Sequence, residues 1–155
     1  MTSNGALFHP ITKLEEAQVM RTIRNECREY MTKDTSLITE ERQEEWFNGL
    51  DKDRIKMFLM YKCHNSTLID TIGFGYCCYT GDEVYVTGGL TKDYRDKGYG
   101  KTLFTHLVET AKSFNTRITL EVLNTNTRAK RLYENIGFHS IEADDRITKM
   151  EYIDD

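Results

Sequence analysis

The residues of this chain best suited to chemistry form the run Arg95-Asp96-Lys97-Gly98-Tyr99-Gly100-Lys101-Thr102. They follow an apolar stretch, Val84–Leu90, that reads as a strand. They precede Leu103, Phe104, Leu107, Val108 and Ala111, whose spacing predicts an amphipathic helix. A strand, a short basic turn and a helix start aim main-chain N–H groups and the positive end of a helix dipole at one point, which suits a phosphate. Gly98 and Gly100 carry no Cβ and let the backbone approach such a ligand closely. Arg95, Lys97 and Lys101 add charge beside it. The same glycines would serve a plain strand-to-helix connection, so their spacing leaves both readings open. Two phosphate-loop patterns fail here. A Walker A loop needs a glycine five positions before Gly100-Lys101-Thr102, where Arg95 stands. A dinucleotide fingerprint needs a small residue three after Gly100, where Leu103 stands.

Several elements must position this turn. Residues 6–9 read as a short strand before the only proline, Pro10. A helix is expected from about Thr12 to Tyr30, with Thr12 as N-cap, Glu15 at capping-box spacing, and Leu14, Ala17, Val19, Met20 and Ile23 facing inward. Thr39 caps a second helix near Glu40–Gly49, bearing Trp46 and Phe47 with Leu50 just beyond. Between the helices lies a polar loop, Met31–Ile38, that either covers a substrate or merely connects. Ile55–Cys63, Leu68–Thr80 and Glu83–Leu90 predict an antiparallel meander turning at Asn65-Ser66 and Gly81-Asp82. Gly88-Gly89 inside the last strand points to a bulge or to a ligand passing close by. Beyond the basic turn follow a helix over Tyr99–Phe114, a strand over Arg117–Leu123, a helix over Thr127–Asn135 ended by Gly137, and a hairpin of Phe138–Ala143 with Ile147–Ile153 around Asp144-Asp145. Strand–helix–strand between residues 84 and 123 requires a right-handed parallel crossover. The expected class is therefore α/β (α+β), a mixed and mostly antiparallel central sheet flanked by about four helices.

The 155 residues suit a single domain, 1–155, and 39% apolar with 30% charged content suits a globular one. A formal charge of −4 argues against a nucleic-acid surface. No apolar run reaches membrane-spanning length, and the N-terminus lacks the pattern of a signal peptide, so a cytoplasmic protein without a membrane partner is expected. Cys27, Cys63, Cys77 and Cys78 form no Cys-x-x-Cys pair and have no histidine at ligand spacing. Reduced, mostly buried thiols and no metal are expected.

A second motif is more specific. It comprises Leu120-Glu121-Val122, Asn126, Ala129, Leu132-Tyr133-Glu134 and Gly137-Phe138. Together with Arg95-x-x-Gly98-x-Gly100, in order and separated by one helix, it resembles the GNAT superfamily of acyl-CoA-dependent N-acetyltransferases. The resemblance covers essentially the whole chain and is weakest over residues 1–60. The placement of Glu121 and Tyr133 is similar to the enzymes that acetylate ribosomal-protein N-termini. Arg24-Asn25, Ile38-Thr39-Glu40 and Trp46-Phe47 look like the amino-sugar branch.

That resemblance implies an amine attacking the acetyl-CoA thioester directly, through a tetrahedral oxyanion and with loss of a thiolate. It implies a parallel strand pair that splays, with the main chain of Gly88, Gly89 and Leu90 binding the pantetheine arm. The turn Arg95–Thr102 would bind the pyrophosphate, Arg95 and Lys97 adding charge-assisted contacts. Asn126 would touch the cofactor arm, or serve only as a helix cap. Tyr133 would be the acid for sulfur, since a phenol of pKa about 10 can protonate a thiolate; the alternative is a packing tyrosine. Glu121 would be the base, directly or through water; the alternative is a carboxylate paired with Lys or Arg. Glu83 and His106 are its rivals. No activated Cys or Ser stands near the motifs, which favours a ternary complex over an acyl-enzyme. Acetyl-CoA is the expected co-substrate. The acceptor is expected to be a nucleotide-linked amino sugar, in a closed polar and aromatic pocket. A peptide N-terminus, in an open groove along residues 30–38 and 144–148, and a polyamine or other small amine are the alternatives. A catalytically silent CoA-binding module stays open, and a homodimer is compatible with the sequence.

Overall fold

Apolar residues fill two layers, one on each face of a seven-stranded sheet. The computed structural model of the chain describes residues 5–65 and 67–154, so Ser66 of the expected Asn65-Ser66 turn lies outside the described residues. In chain order the elements are β1 (Ala6–Pro10), α1 (Leu14–Glu26), α2 (Glu40–Asn48), β2 (Ile55–His64), β3 (Thr67–Tyr79), β4 (Glu83–Leu90), α3 (Tyr99–Ala111), β5 (Arg117–Leu123), α4 (Thr127–Ile136), β6 (Phe138–Ala143) and β7 (Ile147–Tyr152). The strands lie side by side as β1-β2-β3-β4-β5-β7-β6. Every neighbouring pair is antiparallel except β4 and β5. The mixed α/β class with one parallel crossover and four α-helices among the described residues is as expected.

The β4–β5 ladder is short. It holds only Glu83↔Arg117, Val84↔Ile118 and Tyr85↔Thr119. Beyond Tyr85, β4 pairs only with β3, and β5 pairs onward only with β7. The two strands part, and a wedge opens in the middle of the sheet with main-chain edges on its sides.

The pleat sorts the residues around that wedge. Tyr85, Thr87 and Gly89 of β4 share a face with Thr119 and Glu121 of β5. Val84, Val86 and Gly88 share the other with Ile118, Leu120 and Val122. On this second face Leu103, Phe104, Leu107 and Val108 of α3 and Tyr133 of α4 pack. On the first, Ala17, Met20 and Ile23 of α1 and Phe47 after Trp46 of α2 pack against Leu59 and Phe74.

Three local expectations in α1 are corrected. The N-cap of α1 is Lys13 rather than Thr12, because Glu16, not Glu15, reaches back. Its Oε1 accepts from the N–H groups of Thr12 at 2.9 Å and Lys13 at 3.1 Å. The helix ends at Glu26, with a separate 3-10 turn over Arg28–Tyr30, and Val19 is exposed rather than inward. Of the two readings of Gly88-Gly89, the bulge is excluded, since β3 and β4 stay in register from Gly73↔Leu90 to Tyr79↔Val84. A Cβ on Gly88 would stand 2.8 Å from the Phe74 carbonyl oxygen, and one on Gly89 2.7 Å from Cys27 Sγ. These glycines let β3 and the end of α1 close onto β4.

Candidate active site

A cavity of about 720 Å³ occupies the wedge, bounded by residues 30–34 and α2 at one end and by the start of α3 at the other. At the α3 end, Asp96 and Gly98 both take positive φ, +67° and +90°. Gly98 is the N-cap of α3, and it offers no side chain to the helix's first N–H groups. No acidic residue stands in the first turn either. A helix start normally gains about 1 kcal/mol from a side-chain cap, so one left bare and opening on a cavity is equipped for an external anion. Lys101 and Arg128 line the cavity there, Arg128 paired with Asp96 at 2.7 Å. Gly100 is there for packing, since a Cβ would meet Leu132 Cδ2 at 3.1 Å.

The expected cofactor residues divide. Gly88, Gly89, Leu90, Arg95, Asp96, Gly98, Gly100, Lys101 and Asn126 line the cavity, whereas Lys97, Tyr99 and Thr102 do not. Tyr99 is buried with its ring against Tyr94, and the Lys97 ammonium lies 5.8 Å from the Tyr94 ring centre. Arg95 is also held by the protein itself. Its Nε donates to Leu90 O at 3.1 Å, and its Nη2 to Glu26 O at 3.3 Å and Cys27 Sγ at 3.4 Å. Its guanidinium ties the end of β4 to the end of α1, and the residue also lines the cavity. Asn126 caps α4, its Oδ1 accepting from Ala129 N–H at 3.3 Å, and also lines the cavity.

Glu121 and Tyr133 both line the cavity, on opposite faces of the sheet. The Glu121 carboxylate accepts from Thr32 Oγ1 at 3.1 Å and has no ion pair among the described residues. Lys149 stands opposite it in β7, but the Lys149 ammonium goes to Glu83 at 3.0 Å. Tyr133 packs its ring on Phe104, 4.7 Å between centres, and on Phe138 at 6.1 Å. Its hydroxyl makes no hydrogen bond to a described residue and is not sealed in the core. Burial, with the neighbouring Tyr85 phenol second, raises its pKa above the ordinary phenol value and keeps the hydroxyl protonated.

The rivals for the base are placed elsewhere. Burial pushes the Glu83 carboxyl up, but hydrogen bonds from Thr119 at 2.6 Å and from Lys149 outweigh it and hold its pKa below the usual value. It is an ionised strut between β4, β5 and β7. His106 stacks on Phe8, ring centres 3.8 Å apart, and borders a separate cavity; burial lowers its pKa and keeps it neutral.

The residues 31–38 supply what sequence reasoning missed. Arg24 donates to the carbonyls of Asp34 and Ser36, Arg28 to Thr35 O at 3.1 Å, and Asn25 exchanges two 3.0 Å bonds with Ile38. So secured, the loop brings the buried Thr32 to Glu121 and Lys33 to the Tyr85 ring, Nζ 3.9 Å from its centre. Arg146 Nη2 donates to Thr32 O at 2.8 Å, joining the turn between β6 and β7 to the loop. Arg24-Asn25 was the available signal; Thr32, Lys33 and Arg146 carried none. Burial raises the Tyr85 phenol, a Thr32 contact offsets part of this, and the Glu121 charge adds to it. Cys27 lines the cavity beside Gly89; burial raises its thiol pKa despite Arg95, and it donates to Leu90 O at 3.3 Å. Among the described residues no group of three or more His, Cys, Asp or Glu could hold a metal, and no helix is long and apolar enough to cross a membrane.

Comparison with known proteins follows this geometry. Residues 18–138 match the family described as the acetyltransferase (GNAT) family. No curated protein matches the sequence significantly. Among solved structures, the chain is similar to a spermidine N-acetyltransferase from Vibrio cholerae in complex with CoA and spermine, at 16% identity and a TM-score of 0.75, over 95% of this chain and 94% of that one. It is similar to yncA from Salmonella typhimurium with its cofactor acetyl-CoA, at 12% identity and a TM-score of 0.74, over 96% and 93%. A domain from Methanocaldococcus jannaschii gives 13% identity and a TM-score of 0.79, over 94% and 97%. At such identities the likeness is one of fold.

Proposed function

Because the chain belongs to the acetyltransferase (GNAT) family, we propose that it moves an acetyl group from acetyl-CoA to a primary amine of a small molecule, by direct attack in a ternary complex. Acetyl-CoA supplies an activated thioester with a thiolate leaving group. The residues present fit it: a bare helix start with Lys101 and Arg128 for its phosphates, and the unpaired edge of β4 for its amide-bearing arm. The observation that carries the reading is the wedge after Tyr85, with Glu121 on one face of the sheet and Tyr133 on the other.

Glu121 takes the proton of the incoming amine on the α1–α2 face, held by Thr32 while it does so. Tyr133 donates its hydroxyl hydrogen to the sulfur on the α3–α4 face. Its raised pKa keeps the hydrogen on the oxygen, available for a hydrogen bond to the departing sulfur, and makes complete loss of the proton harder. The main chain of Gly88–Leu90 holds the arm between them. Cys27 is kept a thiol by burial, which supports direct transfer over an acyl-enzyme.

The Arg146–Thr32 bond bridges what would have been an open peptide groove, which supports a small acceptor over a protein N-terminus. Tyr30, Trp46, Tyr76 and Tyr85 give the acceptor end aromatic walls, in keeping with an amino sugar; the spermine-bound relative keeps a polyamine in the comparison. The test is thiol release from acetyl-CoA over amino sugars, N-terminal peptides and polyamines, with Glu121→Gln and Tyr133→Phe alongside. Each substitution is expected to slow an accepted amine about 100-fold or more. If both variants turn over as the unaltered protein does, the assigned base and donor are wrong. If acetyl-CoA raises the melting temperature but no amine consumes it, the protein is a silent CoA-binding module.

A further inference from the structure

We infer that the acceptor carries an anionic group, a carboxylate or a phosphate, beside its amine, and that Lys33 holds that group at the mouth of the cleft. This rests on the acetyl-transfer reading. The acceptor end is cationic in a chain whose formal charge is −4: Arg21, Arg24, Lys33 and Arg42 line it against Asp34 and Glu121. Most of those charges are engaged within the protein. Arg21 donates to Gln18 Oε1 at 2.7 Å and to Ile38 O at 3.2 Å. Arg24 binds the carbonyls of Asp34 and Ser36. Arg42 pairs with Asp34 at 2.9 Å and reaches Ser36 Oγ at 3.1 Å. Asp34 is thereby consumed, its carboxyl held well below the usual range by Arg42 and Ser36.

Two charges are left for a ligand, Glu121 and Lys33. The Lys33 ammonium has no hydrogen bond or ion pair to a described residue and rests only on the Tyr85 ring. A ring face holds an exposed ammonium less strongly than an oxyanion does, so an arriving carboxylate or phosphate displaces it. Glu121 meets the amine, whose ammonium form it neutralises. A second ammonium on the same molecule would find no uncommitted carboxylate at this end and would face Lys33. One positive and one negative position at the same end of the cleft match an amine that bears an acid, and they disfavour a polyamine.

The test uses pairs that differ only in charge: glycine against glycinamide, and phosphoethanolamine against ethanolamine, with spermine as the polycation. Calorimetric titration into the protein saturated with CoA gives their affinities for the unaltered chain, Lys33→Gln and Lys33→Arg. The anionic member of at least one pair is expected to bind about 10-fold more tightly or better, as a charged hydrogen bond allows. Which pair responds tells carboxylate from phosphate. Lys33→Gln is expected to bring the ratio close to one, and Lys33→Arg to keep a preference. Equal affinity within both pairs, absence of binding included, overturns the inference. So does tighter binding of spermine, or a ratio that survives Lys33→Gln. Thiol release on the same acceptors judges the acetyl-transfer reading separately, since binding without release counts against that reading and not against Lys33.

Discussion

Replacing Thr32 by Val tests whether the 31–38 loop positions the Glu121 carboxylate, the proposed base. Thr32 is 7% exposed, and valine has nearly its shape, so the change removes a hydroxyl and little else. What is lost is the 3.1 Å bond from Oγ1 to Glu121 and the contact with the Tyr85 phenol. A hydrogen bond to a charged group contributes about 1.5–3 kcal/mol. Water in the open cleft can replace part of it, so the lower end applies, and about 1.5 kcal/mol corresponds to roughly tenfold in rate. The expected result is a kcat about tenfold lower on an accepted amine, with the KM for acetyl-CoA unmoved because the start of α3 is untouched. Thr32→Ser, which restores the donor but not the methyl group, is expected to recover most of the rate. A melting-temperature loss of only about 2–4 °C would accompany roughly 1 kcal/mol in a chain of this size. The reasoning is refuted if Thr32→Val keeps full kcat while Glu121→Gln does not, or if serine fails to rescue.

Other substitutions probe the frame of the site. Gly89→Ala places a Cβ 2.7 Å from Cys27 Sγ and should cost about 1–3 kcal/mol of stability in urea titration; adding Cys27→Ala should recover part of it, and no recovery would mean the strain lies elsewhere. Gly98→Ala must hold φ near +90°, which should cost about 1–2 kcal/mol and weaken acetyl-CoA binding seen by thermal shift; an unchanged shift would remove Gly98 from the phosphate cradle. Glu83 has a folded pKa below the ordinary 4.5, so its stabilisation is present above that value and is lost as pH falls through the folded pKa. The urea midpoint should therefore fall less steeply below pH 4.5 in Glu83→Gln than in the unaltered protein, and equal slopes would show that Glu83 does not contribute.

Much of this protein was legible along the chain because local physics writes it there. Alternation and helical spacing mark β2–β5 and α3, Thr39 caps α2 with an Oγ1 bond at 3.2 Å, and Gly137 ends α4. The two motifs place Glu121 on a strand and Tyr133 on a helix, and the strand–helix–strand order obliges β4 and β5 to be parallel. Only the tertiary structure decided where that ladder stops, which faces Glu121 and Tyr133 take, and what Arg95 and the glycines at 88 and 89 touch. The reason is range. Thr32 meets Glu121 across 89 positions, Arg146 meets Thr32 across 114, and Arg95 reaches Glu26 across 69. Such partners are set by how α1 and its loop settle on the sheet, and no periodicity or turn rule between neighbouring residues records that.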